Sequence, residues 1–162
     1  MPTRGHGASR SDRIIGRLLL AAVLCALPAS RPLWAAEVEI RVIAHPRRAA
    51  ALTAVDVRAI YLKQKLYWAD GQTLVAINRE SGSQAREHFS TAVFGQGSRR
   101  MADYWNRRYF DAGEFPPATL ASDDAVRRFV ASNPNAIGYV LTRDLDESVA
   151  VVLVIAAPSE AP

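Results

Sequence analysis

Apolar residues recur along the chain at two different spacings, every second position in some segments and every third or fourth position in others. The first spacing predicts β-strands and the second predicts amphipathic helices. Strands are predicted at 38–46, 73–78, 137–142 and 149–156. Helices are predicted to begin near residues 53 and 122 and to cover 83–94 and 98–109. The order β-α-β-α-α-α-β-β predicts an α/β domain built as a three-layer mixed sheet.

Polar residues and glycine mark the ends of these elements. Thr53 precedes Asp56 by three positions, which is the spacing of a capping box, and Gly95 is suited to end the second helix. Asp123 and Asp124 stand in the first turn of the last helix, where the helix dipole favours acidic residues. The predicted helical core positions are Val57, Ile60, Tyr61, Ala85, Phe89, Val93, Met101, Tyr104, Trp105, Tyr109, Phe129 and Val130.

Two further segments carry specific expectations. The Phe-Pro-Pro-Ala sequence at 115–118 predicts a rigid connection between helices. The uninterrupted apolar run at 149–156 predicts a strand that is buried on both faces.

The first 36 residues combine five arginines with the apolar segment Leu18–Leu27, which is followed by small residues. This arrangement is typical of a secretory signal peptide, and the apolar segment is too short to span a membrane comfortably. Positions compatible with cleavage follow Ala29, Ala35 and Ala36. We therefore predict a signal peptide at 1–36, a domain at 37–157 and a loose tail at 158–162. A periplasmic location follows from this prediction.

The signal segment also accounts for the basic character of the chain. The sequence has 20 Lys and Arg and 16 Asp and Glu; five Arg and one Asp lie in residues 1–36, which leaves 15 of each sign. A domain without net charge offers no electrostatic reason to expect a nucleic-acid partner. Cys25, the only cysteine, lies in the same segment, so no disulfide is predicted in the domain.

The remaining residues give little material for catalysis. His45 and His88 stand alone in the domain, and His88 is predicted to be exposed. Without cysteine, a zinc site or a cysteine nucleophile is not expected. The sequence contains neither a G-x-S-x-G elbow nor a phosphate-binding P-loop. We therefore predict no metal, no cofactor and no enzymatic activity.

The polar stretch RESGSQARE, at 79–87, lies between a predicted strand and a predicted helix. The unpaired N–H groups and the positive end of a helix dipole at such a point can hold an oxyanion. The candidate ligand-binding residues are Arg79, Ser81, Gly82, Ser83, Gln84, Ala85 and Arg86. The alternative is that Ser81 with Gln84, or Ser83 alone, only caps the helix.

Several motifs, in this order and spacing, resemble those of the periplasmic phosphate-binding receptors of ABC transporters, and especially of their short single-domain relatives. The matching residues are Ile60, Tyr61, Leu62, Lys63, Trp68, Asp70, Gly71, Arg79, Gly82 and Ser83, followed by 134–140. The resemblance covers roughly residues 53–155. It implies a fold similar to one lobe of a class II periplasmic binding protein. It also implies that Gly82 and Ser83 supply backbone N–H groups to the anion, with Arg79 as the family arginine.

The chain departs from the family pattern at three positions and in length. Ser81 replaces an acidic residue, Gln84 replaces a glycine, and Ala85 replaces a hydroxyl-donating threonine. Full receptors close two lobes around the anion, whereas this chain resembles one lobe. A second subunit or a membrane transporter is therefore a predicted partner that completes the cleft.

Two functions remain at this point. The chain is either an exported phosphate- or oxyanion-binding protein that serves an uptake system, or a periplasmic interaction module that uses the same fold without a small ligand.

Overall fold

The computed structural model describes residues 39–141 and 145–156. The strands in these residues are β1 (Glu39–Ala44), β2 (Val75–Arg79), β3 (Ala118–Leu120), β4 (Ala136–Val140) and β5 (Ala150–Ala156). The α-helices are α1 (Ala54–Tyr61), α2 (Gln84–Phe94), α3 (Ser98–Ala112) and α4 (Asp123–Ser132). A short 3₁₀ helix, Pro46–Arg48, follows β1. The predicted signal peptide and the predicted tail lie outside the described residues.

The five strands form one mixed sheet in the order β3-β2-β4-β1-β5. The strand β2 is parallel to both β3 and β4, whereas β1 is antiparallel to β4 and β5. One face of the sheet packs against α1 and α2 through a core that contains Tyr61, Phe89 and Tyr139. The other face packs against α4 through Val126 and Val130. The predicted three-layer α/β domain with a mixed sheet is thus confirmed.

Gly138 in β4 allows α4 to lie close to the sheet. A Cβ atom at this position would overlap a methyl group of Val126 and would lie 3.3 Å from a methyl group of Val130. Both valines are fully buried. The glycine in β4 therefore sets the distance between the sheet and α4.

The helix α3 packs on α2 through a narrower apolar stripe than the sequence predicts. Met101 and Trp105 are buried, but the Tyr109 side chain is 46% exposed. The prediction that the aromatic residues of this helix lie mostly in the core is wrong for Tyr109, because α3 contacts the domain with one side only. Phe129 in α4 is half-buried at the edge of the second core, and His88 is half-buried rather than exposed.

Two strands differ from what the sequence predicts. The strand β3 was not predicted, because its three residues directly follow two prolines and show no clear alternation. The prediction that 149–156 is buried on both faces is wrong. The strand β5 pairs with β1 at the margin of the sheet, and the side chains of Val151 and Val154 are 42% and 50% exposed. Apolar composition alone does not distinguish a central strand from a marginal one.

In the described residues, no helix combines the length and the apolar character that crossing a membrane requires.

Candidate functional site

The candidate site lies at one edge of the sheet, where the carboxyl ends of the parallel strands β2, β3 and β4 meet. The amide of Glu80, just after β2, donates to the carbonyl of Leu120 at the end of β3, with an N···O distance of 3.1 Å. Both α2 and α4 begin at this edge, directly after β2 and β3. Ligands of open α/β sheets bind preferentially at this kind of edge. All seven predicted site residues lie here, from the last residue of β2 to the third residue of α2.

Ser83 is the N-cap of α2. Its hydroxyl oxygen accepts the amide N–H of Arg86 at 3.2 Å, and the hydroxyl donates to the carbonyl of Glu80 at 3.0 Å. The capping interaction that the sequence left as an alternative is therefore present. It occupies one of the amides that the anion hypothesis counted among the exposed donors.

The amide N–H of Ser83, which the resemblance assigned to the anion, donates to the carbonyl of Glu80 at 3.4 Å. Two other amides at the start of α2 are not used in this way. The backbone N–H groups of Gln84 and Ala85 have no hydrogen-bond acceptor within residues 39–141 and 145–156. Gln84 is exposed, whereas the Ala85 side chain points into the main core. These two N–H groups stand at the positive end of the helix dipole, where negative charge is favoured.

The loop that leads into α2 depends on Gly82. Its φ is +85°, a conformation that other residues adopt at a cost, and a Cβ atom added here would meet nothing within 4 Å. The glycine is therefore required by the backbone of the turn, and steric room for a ligand is not needed to explain it. Ser81 beside it is exposed.

The guanidinium of Arg79 is held by two carboxylates. Its Nε and Nη2 atoms donate to the two carboxylate oxygens of Glu80, each at 2.9 Å. Its Nη1 atom forms an ion pair with Asp123 in the first turn of α4. The Arg79 side chain is only 10% exposed. Its positive charge is therefore balanced by acidic side chains of the protein itself, and the hydrogen bonds from Arg79 hold the pKa of the Glu80 carboxyl below its usual value.

Arg86 faces the same edge from α2 and is 8% exposed. Its Nη1 atom donates to the backbone carbonyl of Arg79 at 2.6 Å. Part of its hydrogen-bonding capacity therefore fixes the end of β2. Its charge still contributes a positive potential to the start of the helix.

Tyr139 connects β4 to the same point. Its hydroxyl donates to the side-chain oxygen of Asn78 and also accepts the amide N–H of Arg79 at 3.2 Å. Burial raises the pKa of the Tyr139 hydroxyl to about 12. These hydrogen bonds hold the end of β2 against β4, and the tyrosine that makes them stays protonated at ordinary pH.

Several residues that carry the family resemblance lie away from this edge. The indole N–H of Trp68 donates to the carbonyl of Asn135 at 3.0 Å. Arg48 donates to a carboxylate oxygen of Asp70 at 2.6 Å and to the side-chain oxygen of Asn135 at 2.8 Å. Its guanidinium carbon also lies 5.3 Å from the centre of the Trp68 ring. These residues join the turn before β2 to the turn before β4, so their part in the motifs is structural.

Sequence reasoning missed the participation of Glu80 and Asp123 in the site. Asp123 was placed correctly in the first turn of a helix, but its ion pair with Arg79 depends on the sheet topology. Glu80 lies within the polar stretch at 79–87 but was not among the candidate ligand-binding residues. No group of three or more His, Cys, Asp or Glu side chains in the described ranges is arranged to hold a metal ion.

The described domain is similar in fold to parts of solved phosphate transport proteins. A protein from Clostridium perfringens, described as a phosphate ABC transporter substrate-binding protein and solved with bound phosphate, matches with a TM-score of 0.52 and 26% identity. The match covers 72% of this chain and 46% of that protein. The described domain is similar to one lobe-sized part of a phosphate receptor. The resemblance that the motifs indicated is therefore confirmed.

A second receptor supports the same fold. An ABC-type phosphate transport receptor from Vibrio cholerae matches with a TM-score of 0.55 and 18% identity, over 70% of this chain and 44% of the receptor. The chain thus spans less than half the length of each of these proteins. No protein-family model and no curated protein matches the sequence.

Proposed function

We propose that the chain is an exported oxyanion-binding protein that holds phosphate or a similar anion at the start of α2. The observation that carries the proposal is the pair of unused N–H groups of Gln84 and Ala85 at the edge where the parallel strands end. The phosphate-bound relative from Clostridium perfringens supports this class of ligand. The role is binding without chemical conversion, since the two receptors with this fold are binding proteins.

The arrangement supports weak binding by the isolated chain. Only one lobe-sized part of the receptors is matched, so water reaches the anion from the other side. Hydrogen bonds to a hydrated anion contribute little net free energy. The carboxylates of Glu80 and Asp123 also lie close to the start of α2 and oppose a negative ligand. A second subunit or a membrane transporter that covers the edge would remove water and strengthen the binding.

The test uses two substitutions at the N-cap. Aspartate and asparagine both cap helices well, so Ser83→Asp and Ser83→Asn preserve the start of α2 and differ by one negative charge. Phosphate at ten times its dissociation constant is expected to stabilise the wild-type protein by about 1.4 kcal/mol. Thermal unfolding in low-salt buffer should show this gain for the wild-type protein and for Ser83→Asn, but not for Ser83→Asp. If no tetrahedral oxyanion shifts the unfolding temperature of the wild-type protein, the proposal is wrong.

A second function is favoured by the charges around Arg79. Because this arginine is paired with Glu80 and Asp123, its positive charge is balanced without a negatively charged ligand. A periplasmic interaction module that keeps the fold and binds a protein partner accounts for this pairing. Under this alternative, a complex with an envelope protein forms equally well with the wild-type chain and with Ser83→Asp. Loss of the complex in Ser83→Asp alone would contradict it.

A further inference from the structure

The outward face of α3 carries charged residues of alternating sign. Arg99, Asp103, Arg107 and Asp111 follow one another at intervals of four residues, and all four are exposed. Residues four positions apart are neighbours on a helix surface, so this pattern usually reflects ion pairs along a solvated helix. Within the described ranges, however, no ion pair is formed by any of the four. The charges on this face therefore remain available to another molecule.

An aromatic residue lies among these charges. Phe110 is 82% exposed and is the most exposed of the large apolar side chains in the described residues. Its ring contacts Tyr109, with a centroid distance of 5.6 Å, and Tyr109 in turn contacts Phe115 at 5.0 Å. Tyr109 and Phe115 are themselves 46% and 61% exposed, so Phe110 belongs to an exposed aromatic group at the end of α3. Exposed aromatic residues next to arginine are typical of the centres of protein interfaces.

The charge pattern is complementary to itself. When two identical helices pack antiparallel around a two-fold axis at the level of Trp105, Asp103 of one copy faces Arg107 of the other. At about 100° per residue, Asp111 of one copy lies on the same flank of the interface as the exposed Arg100 of the other, and at nearly the same height. Each aspartate of the face then meets an arginine of the second copy, which gives four ion pairs of opposite sign. A two-fold interface requires such self-complementarity.

The same axis also places the exposed aromatic residue. Phe110 of one copy lies on the same flank of the interface as Arg99 of the other. Arg100, like Arg99, is exposed without an ion pair in the part of the chain that the structure describes. An arginine over a phenylalanine ring adds a favourable cation–π contact. One axis thus gives both aspartates an arginine partner and covers the phenylalanine.

From this complementarity we propose that α3 is a dimerisation surface, and that its partner is the α3 helix of a second copy of this chain in antiparallel orientation. The proposal is independent of anion binding, because α3 does not contribute to the edge formed by β2, β3 and β4. The contact surface spans roughly 18 Å along the helix, from residue 99 to residue 111 at 1.5 Å per residue. A surface of this size gives a weak dimer. Added salt weakens it further, because the ion pairs are only partly buried.

The test is a charge swap in the purified protein. Sedimentation equilibrium from micromolar to millimolar concentration should show a monomer–dimer equilibrium for the wild-type protein. Arg107→Glu and Asp103→Arg should each raise the dissociation constant at least tenfold, because each reversal creates two repulsive contacts through the symmetry. The double variant Asp103→Arg/Arg107→Glu restores opposite charges across the axis and should recover most of the wild-type affinity. Arg47→Glu makes the same charge change at an exposed residue far from α3 in the sequence and serves as the control.

The proposal is wrong if the wild-type protein remains monomeric at millimolar concentration, if both single reversals leave the dimer unchanged, or if the double variant dissociates as readily as the single variants. Binding of the monomer to anionic phospholipid vesicles through this face would also overturn it and would assign the surface to a membrane. Thermal unfolding of each variant verifies that the fold is intact.

Discussion

Arg79 at the end of β2 forms an ion pair with Asp123 at the start of α4, and this contact joins the two elements that border the candidate site. Asp123 also accepts the amide N–H of Leu141, just after β4, with an N···O distance of 2.9 Å. One carboxylate therefore connects the ends of β2 and β4 to a helix start. The stability of this edge of the sheet should depend strongly on it.

We expect Asp123→Ala to lower the free energy of unfolding by about 1–3 kcal/mol, because it removes the carboxylate that pairs with Nη1 of Arg79 and accepts the Leu141 amide. The measurement is urea unfolding followed by circular dichroism. Asp124→Ala is the matched control, since Asp124 stands in the same helical turn and makes exposed ion pairs with Arg127 and Arg128. Exposed pairs contribute little, so this control should cost less than about 1 kcal/mol. Equal losses for the two variants would contradict the structural role of Asp123.

Gly138→Ala tests the close packing of β4 against α4. The added methyl group overlaps Val126, so we expect a loss of about 1–3 kcal/mol in unfolding free energy. Val126→Ala removes the overlapping atoms, and the double variant Gly138→Ala/Val126→Ala should be less destabilised than the sum of the two single variants. Unfolding of all four proteins in urea gives the coupling energy. Strict additivity would show that the two residues are not in contact.

The pH dependence of stability can be tested at Asp56. Hydrogen bonds from Lys65 and from Thr53 lower the pKa of the Asp56 carboxyl from 3.8 to about 2. Because the pKa is depressed in the folded state, the ionised carboxylate stabilises the protein fully above the unfolded value and progressively less as the pH falls towards 2. Asp56→Asn removes this contribution. The stability difference between the wild-type protein and this variant should therefore be constant above pH 4.5 or so and decrease in more acidic solution.

The matched variant for this experiment is Lys65→Met, which removes the first of the causes that lower the pKa. In this variant the folded-state pKa of Asp56 is less depressed, so the decrease should be smaller and should be complete at a higher pH than in the wild-type protein. A wild-type profile that runs parallel to that of Asp56→Asn at all pH values would contradict the assignment. The side chain of Asp56 is 34% exposed, so the total effect is reduced by solvent screening.

Glu87 provides a fourth test, because it caps a neighbouring helix. The N-cap of α3 is Gly97, which has no side chain, and a carboxylate oxygen of Glu87 instead accepts the amide N–H of Ser98 at 3.0 Å. We expect Glu87→Ala to destabilise the protein by about 0.5–2 kcal/mol, the usual range for loss of an N-cap. The control is Glu114→Ala, which removes an ion pair with Arg108 on the exposed side of α3. Thermal unfolding should show a larger decrease for Glu87→Ala than for this control.

Much of the fold could be predicted because local signals agreed with one another. Thr53, Ser83 and Ser122 are all observed as N-caps, and Gly95 ends α2 in the left-handed conformation. These features depend on neighbouring residues only. The strand β3 and the marginal position of β5 depend instead on which strands pair, and that information is spread over the whole chain. The same limit applies to Arg79, whose partner Asp123 becomes a neighbour only after the sheet has formed.

The predicted site residues share one edge because they are close together in the sequence, between the end of β2 and the first turn of α2. The role of each residue was harder to predict. Ser83 fits both an anion ligand and a cap, and the choice depends on whether its hydroxyl finds a nearer donor in the Arg86 amide. In the structure it does.

Tyr139 links β2 to β4 through a hydroxyl group that does not titrate at ordinary pH. In the backbone pairing of β2 with β4, Val75 is opposite Ala136 and Ala76 is opposite Ile137. The Tyr139 hydroxyl extends the connection between the two strands to Asn78 and Arg79. Phenylalanine could fill the same volume but could not replace this bridge. Because the phenol loses its proton only near pH 12, neither acid nor moderate alkali disconnects the two strands here. The register of the strand that carries Arg79 therefore does not depend on the acidity of the solution over the ordinary pH range.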